Sequence, residues 1–554
     1  ARRFAGYLES GVRVRARSIL RACLVLMALT AFHTWPHAGH PGAAVVDHHD
    51  PYFSIWRLSW IGHALRTQPT ELFNANIYHP ELRALAYSDA TLLEGLIAAP
   101  FLWAGVSPVS VYTLLLLIGF SASGLAMYLL AFEVTRDDDA SLVAASIFVL
   151  VPYRIEHIMH LEMQWAMWIP LTLWALHRTV QAPSWTRGLL CGLFLALQFL
   201  SCVYYGVFLA AVTPLVGLAL FAAEPSRLRP ALPPLIAGAI LAAVVTGIYA
   251  WPYLENAHVL GPRSLDEIAL YSARPIHYLT SPDTSWLWGW TADLFGSQEL
   301  RLYPGVLATG LAVVALATGA GATTWTYAAV AALAVELSFG VNGWLFPWLV
   351  ARAPQLQGLR AAARISIVGY CALSVLAATG FERLRERLRL PRHAWLVAVG
   401  IGLLVDYGVT RPRMVPIPGD VPDVYRFIGQ LPSGVLAEFP MPEPDSLPGH
   451  DATYEFWSTT HWRPLVNGYS GYASTRFVNM LERMLDFPSD DSIAELQTLH
   501  VRYVIVHEAH YRPREFVDLA LRIGQRPEFE ALGRFRDGDS WARLFRLQAR
   551  DAPR

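Results

Sequence analysis

The chain has 554 residues, 54% of them hydrophobic, with a mean hydropathy of +0.34 and a formal net charge of −1. Uncharged apolar runs of about 20 residues recur along it, which indicates a polytopic α-helical membrane protein and excludes an ordinary soluble globule. The near-zero net charge argues against nucleic acid as the main partner, and all 43 basic residues are arginine.

Residues 2–17 carry Arg2, Arg3, Arg13, Arg15 and Arg17. Under the positive-inside rule this segment is cytoplasmic, and a first membrane helix at 18–35 exits outward. A cleaved signal peptide is the weaker reading, because the nearest small-x-small sequence, at 42–44, lies well past the apolar run. The long outward segment 36–107 opens with VVDHHDPYFSIWRLSW at 45–60, where Asp47, His48, His49 and Asp50 stand together beside the bilayer. Titratable groups in that position are costly unless solvated or used. Asp50-Pro51 fits a helix start with Asp50 as N-cap, and Tyr52, Phe53, Ile55, Trp56, Trp60 and Ile61 give the following helix an apolar face. With Arg57 and His63 on its polar side, that helix is expected to lie in the membrane interface. A second, short apolar helix is expected at 90–103.

Further spans are expected at 108–132, 140–152, 165–181, 187–201, 203–222, 231–253, 302–319, 323–339, 363–380 and 394–410, about eleven in all. The parity is consistent with charge, since the basic run FERLRERLRLPRH and the pair Arg227 and Arg229 fall in inward loops. The outward side then receives 36–107, 153–164, 254–301, 340–362 and everything after 410. Residues 411–554 are charged and rich in turn residues. Strand-like runs at 434–439 and 501–507 alternate there with helical patterns at 421–430 and 474–485, which reads as a soluble α/β domain. The expected division is a transmembrane domain at 1–410 and an extracytoplasmic domain at 411–554. Cys23, Cys191, Cys202 and Cys371 sit in apolar runs without a CxxC pair and read as buried apolar residues.

Three outward clusters could carry chemistry. Asp47 or Asp50 could act as a general base on an acceptor hydroxyl, or Asp50 could simply cap its helix. With His48 and His49 the group could also hold a divalent cation, although four consecutive residues seldom converge on one ion. The second cluster, PYRIEHIMHLEMQW at 152–165, offers Arg154, Glu156, His157, His160 and Glu162. His157 and His160 would share a helix face if the segment is helical; a wet connecting turn is the alternative. The third comprises Arg263, Arg274, Arg360 and Arg364. Arginine binds phosphate in bidentate fashion, and Arg360 and Arg364, at i,i+4, would share one helix face; the alternative is anchoring to headgroups. No Walker A, GxGxxG, GxSxG or HExxH motif is present, and Glu336 is the main acidic residue within a span, so neither a nucleotide-using enzyme nor a proton-driven transporter is supported.

In this arrangement the chain resembles the GT-C superfamily of polytopic membrane glycosyltransferases, in particular bacterial members related to the protein mannosyltransferase and aminoarabinose transferase families. The likeness rests on DPYFSIWRLSWIGHAL, ANIYHPELRALAYSDATLLEGLIAAP, PYRIEHIMHLEMQWAMWIPL and LQFLSCVYYGVFLA, and it covers roughly residues 18–380 together with the character of the tail. It implies sugar transfer from a polyprenyl-phosphate donor to a glycan, lipid or protein acceptor on the outer face of the bacterial inner membrane. The catalytic acid of the first external loop falls on Asp50, with Asp47 as the alternative, and transfer is inverting. Arginines among Arg154, Arg263, Arg274, Arg360 and Arg364 would hold the donor, and His157, His160 and Glu162 would line its site. No nucleotide cofactor is implied; a divalent cation is the one cofactor left open, with His48 and His49 among its candidate ligands. A lipid-linked saccharide flippase and a non-catalytic envelope assembly protein are the competing readings.

Overall fold

The computed structural model describes residues 2–319, 321–388 and 391–549. The chain is mostly helical, with a small C-terminal sheet, and divides into two compact units. The first comprises residues 1–41, 113–249 and 262–413; the second comprises 42–112, 250–261 and 414–554. Residues 42–112, grouped by their sequence with the transmembrane region, thus fall in the same unit as the tail.

Among the described residues, five helices are long and apolar enough to cross a membrane: Ala16–His33, Pro108–Thr135, Val203–Ala223, Pro225–Leu260 and Ala362–Leu388. Other expected spans fall on shorter helices, such as the 13-residue Asp138–Leu150 and the 12-residue Val306–Ala317. At 1.5 Å per residue these run about 20 Å, short of a hydrocarbon core of about 30 Å.

Local chemistry sets several of the boundaries in the first unit. Asp137 caps Asp138–Leu150 by accepting from the amides of Asp139 and Ala140, and it also pairs with Arg385 at 2.5 Å. Asp139, fully buried, receives Arg21 at 3.2 Å and Arg385 at 3.5 Å. The acidic triplet therefore ties three helices together. Helix Trp185–Ser201 crosses Leu228–Leu260 through glycine: a Cβ at Gly192 would stand 1.8 Å from the Gly238 carbonyl oxygen, a close approach only glycine permits. All four cysteines are free thiols, three of them buried.

In the second unit, strand Ala44–Val46 pairs antiparallel with Met414–Pro416, Val45 opposite Val415. The four-stranded sheet runs Val435–Phe439, Val501–His507, Ser540–Leu547, Phe529–Asp537, the first pair parallel and the others antiparallel. Every residue of Val435–Phe439 is buried, as expected of a strand covered on both faces. Tyr425, Ile428, Leu436, Tyr503, Ile505 and Leu544 form its core.

Helix His49–Thr67 corrects two expectations. Arg57, assigned by the sequence to a polar side, is buried, as are all residues from Phe53 through Ile61. Helix Asp451–Ser458 of the tail covers His49–Thr67, with Phe456 edge-on to Tyr52 at 5.6 Å. Arg57 donates there to Ser54 Oγ at 2.9 Å and to the Asp89 carbonyl. The N-cap is His48, not Asp50; the His48 ring accepts from the Asp50 amide at 3.2 Å, which places Asp50 in the first turn. A carboxylate there is still favoured, because it faces the positive end of the helix dipole.

Candidate functional site

Asp50 is held from two sides in the second unit. The Tyr469 hydroxyl donates to Oδ1 at 2.7 Å, and His48 Nδ1 lies 3.1 Å from Oδ2. The same Nδ1 cannot accept from the Asp50 amide and also donate to Oδ2, so the His48 proton decides which contact is made. The Asp50 side chain is 13% exposed, reachable yet largely desolvated. Asp47 and His49 are exposed, with the His49 ring 6.2 Å from that of Tyr469. Partial desolvation of the His49 ring against its neighbours lowers its basicity, and His48 adds to this against the pull of Asp50 and Asp47. His48 and His49 meet edge to face at 6.0 Å and belong to no cluster with metal-ligand spacing among the described residues.

Behind Tyr469 lies a buried acidic group. Glu455 accepts the Tyr469 amide, and burial pushes its carboxyl well above the usual range. Burial likewise raises Asp451 to about 8, against a hydrogen bond from Asn467. Glu438 and Asp537 clamp His507 at 2.9 and 2.7 Å. Burial alone would lower His507, but these two bonds outweigh it and hold the ring up at about 9.

The first unit gathers a second polar cluster from loops distant in sequence. The segment after Asp138–Leu150 is not one helix. It forms Pro152–Glu156, a turn, and Leu161–Gln164, yet the turn still stacks His157 on His160 at 5.6 Å. Glu299 joins them, with ligand atoms of the three residues within 4.8 Å of one another. Arg364 grips Glu299 in bidentate fashion, Nε at 2.5 Å and Nη2 at 3.3 Å, and lies 5.1 Å from the Tyr204 ring. Burial would raise the Glu299 carboxyl, but Arg364 and His157 outweigh it and hold it far below the carboxylate range.

The other predicted residues are placed as follows. Arg360 and Arg364 do not share a helix face, because the regular helix starts only at Ser366 and Arg364 lies in the short 3-10 turn Ala362–Ile365. Arg360 instead joins Arg263 on one carboxylate, Glu267, at 3.2 and 2.5 Å. Arg154 is 1% exposed and directed inward: it donates to the Gln164 carbonyl at 2.8 Å and stands 4.4 Å above Phe120. Glu162 is buried in Leu161–Gln164, and Arg274 is exposed, its amide donating to His277 at 3.0 Å. Glu156 pairs with Arg301 at 2.8 Å; burial raises it to about 7 in spite of that arginine.

Sequence reasoning did not single out Glu267, Glu299, Arg301 or Tyr469. For the two glutamates, the available signal was an acidic residue in an inter-helix segment that also held arginines. For Tyr469 it was the glycine-flanked aromatic in NGYSGY.

No known protein-family profile matches the chain, and no curated protein sequence matches it. Among solved structures, the arabinofuranosyltransferase AftD from Mycobacteria superposes with a TM-score of 0.63 at 15% identity, over 97% of this chain and 40% of that one. A mutant form of the same protein gives 0.63 over 96% and 42%. The archaeal oligosaccharyltransferase AglB from Archaeoglobus fulgidus, solved with an inhibitory peptide and a dolichol-phosphate, gives 0.47 at 11% identity, over 97% and 75%. The chain therefore spans well under half the length of AftD. The likeness is one of fold: a multi-pass membrane architecture shared with a glycosyltransferase, as the resemblance to the GT-C superfamily implied.

Proposed function

We propose that the protein is a glycosyltransferase that moves a sugar from a polyprenyl-phosphate donor to an acceptor hydroxyl on the outer face of a bacterial inner membrane. About eleven membrane crossings and a cytoplasmic N-terminus belong to this reading. The observation that carries it is Asp50, a partly desolvated carboxylate fixed by Tyr469 in the first external loop, on a fold shared with an arabinofuranosyltransferase.

In the reaction, the acceptor oxygen attacks the anomeric carbon while Asp50 takes the hydroxyl proton. The bond from that carbon to the phosphate oxygen breaks, its electron pair leaving with the polyprenyl phosphate, and configuration inverts. Asp47, exposed three residues away, is the alternative base. The leaving phosphate needs fixed positive charge, for which Arg263 and Arg360, gathered at Glu267 in the first unit, are candidates. Arg364 supplies it by exchanging Glu299 for the phosphate. Exposed Arg274 and the His157–Glu162 turn belong to the donor side. A divalent cation fits His157, His160 and Glu299, two imidazoles and a carboxylate being a zinc- or manganese-type donor set. Such a cation would neutralise phosphate charge, sharing Glu299 with Arg364.

The test is reconstitution in vesicles with a tritiated polyprenyl-phosphate pentose or hexose and a crude envelope acceptor fraction. Label leaving the lipid for the acceptor supports the proposal. Label that crosses the bilayer still lipid-linked overturns it in favour of a flippase.

A further inference from the structure

We propose that Tyr469, from the C-terminal part of the chain, is a positioning residue for Asp50, its hydroxyl fixing the direction in which the Asp50 carboxylate faces. The inference rests on the reading of Asp50 as the base and adds a role for the tail, which the sequence associates with no chemistry.

The geometry starts at strand Val435–Phe439. Asn467 accepts the Glu438 amide at 2.8 Å and donates to the Glu438 carbonyl and to Asp451, each at 3.0 Å. Two of these bonds pin the start of the segment NGYSGY to the sheet, and the third ties it to helix Asp451–Ser458. From there the segment runs along the first external loop. The Tyr78 amide donates to the Asn467 carbonyl at 3.0 Å, and the Tyr78 hydroxyl donates to the Tyr472 carbonyl at 3.2 Å. A Cβ on Gly468 would lie 2.6 Å from the Tyr78 ring, so that approach requires glycine. Between these fixed ends, Tyr469 is held twice more. Its amide donates to buried Glu455, and its ring is edge-on to Phe53 at 5.2 Å, one turn along the helix that carries Asp50. The hydroxyl then has one direction available, and that direction ends on Asp50 Oδ1 at 2.7 Å.

A bond this short to a carboxylate is charge-assisted and directional. With Oδ1 held by Tyr469, the orientation of the carboxylate plane is set, and His48 stands beside Oδ2 at 3.1 Å. Donation also favours the ionised form, which a base must have before it acts. The groups that could compete for control of Asp50 are His48, His49 and Asp47 on its own segment, and Glu455 and His450 behind Tyr469. Among these, Tyr469 makes the direct bond from the tail.

The experiment compares full-length wild type, Tyr469→Phe, a 3-fluorotyrosine replacement at 469, and Asp50→Asn in vesicles. Turnover of a tritiated polyprenyl-phosphate sugar is followed as a function of pH. Tyr469→Phe keeps the ring and its packing. Its kcat is expected to fall about tenfold with KM within about twofold of wild type, and the acid limb of the profile to move up by about one pH unit. The fluorinated phenol, a stronger donor, moves that limb down. Opposite shifts from two ring-preserving changes would not arise from a packing role. If Asp50→Asn is inactive while both Tyr469 replacements keep the wild-type rate and limb, the positioning role is overturned and Asp50 remains the base. If Asp50→Asn turns over donor at the wild-type rate, both are overturned.

Discussion

The Arg364–Glu299 pair offers a test on two independent scales. Both side chains are nearly nine-tenths buried, at 11% and 12% exposed, and the pair is bidentate. Removing the charge with Glu299→Gln leaves a buried guanidinium without its counter-charge, which generally costs about 3–5 kcal/mol. The Tyr204 ring and polar surroundings remain to Arg364, which favours the lower end, about 3 kcal/mol. At about 2 °C per kcal/mol for a large unit, the unfolding midpoint in detergent should drop by about 6 °C. The freed guanidinium, in turn, is available to phosphate. In EDTA, with no cation in play, polyprenyl monophosphate should bind Glu299→Gln about tenfold more tightly, or about 1.4 kcal/mol. The double variant with Arg364→Met should recover about 2 kcal/mol relative to the sum of the single changes and lose the gain in phosphate affinity. Calorimetric melting and titration calorimetry in nanodiscs read the two effects. A midpoint within 1 °C of wild type, or weaker phosphate binding in Glu299→Gln, would refute the exchange of Glu299 for donor phosphate at Arg364.

Asp451 predicts a pH dependence of stability. Its folded value, about 8, lies above the ordinary 3.8, so the fold favours the protonated form. The stability it contributes is complete below about pH 4 and is lost as pH rises through 8, by at most about 6 kcal/mol. Asp451→Asn should match wild type at about pH 4 and exceed it at pH 8; equal midpoints at both would contradict this. Arg154→Met should lower the midpoint, since five acceptors lose their donor, while leaving the KM for donor within about twofold. A raised KM would return Arg154 to the substrate site. Added Zn²⁺ or Mn²⁺ should raise the wild-type midpoint and have no effect on His157→Ala with His160→Ala, as any ligand of the folded state must stabilise it; an equal rise in both would place the ion elsewhere.

What sequence conveyed and what it did not divides along local against distant causes. Strand runs such as VRYVIVH, and the helix behind Ser474, whose hydroxyl accepts from the Phe477 amide, follow from periodicity and capping over a few residues. The misplaced cap at Asp50 was also local, but an imidazole acting as cap lies outside the usual preference for Ser, Thr, Asp and Asn. The expected helix face linking Arg360 to Arg364 failed because the regular helix begins only at Ser366. The enclosure of His49–Thr67 could not be read from its own pattern: the cover is Asp451–Ser458, about 400 positions away in sequence. Glu299, Glu267 and Tyr469 share that difficulty. Each takes its meaning from a partner brought near by the fold, and an isolated Glu or Tyr in a loop carries no spacing signal.

The central claim is that Asp50 is the base of a sugar transfer. Single-turnover release of tritiated sugar from a polyprenyl-phosphate donor, in vesicles with envelope acceptor, tests it most directly when wild type is compared with Asp50→Asn. The isosteric amide accepts no proton, so transfer should fall by about a hundredfold or more with donor binding retained. Transfer by a correctly folded Asp50→Asn at the wild-type rate would contradict the assignment.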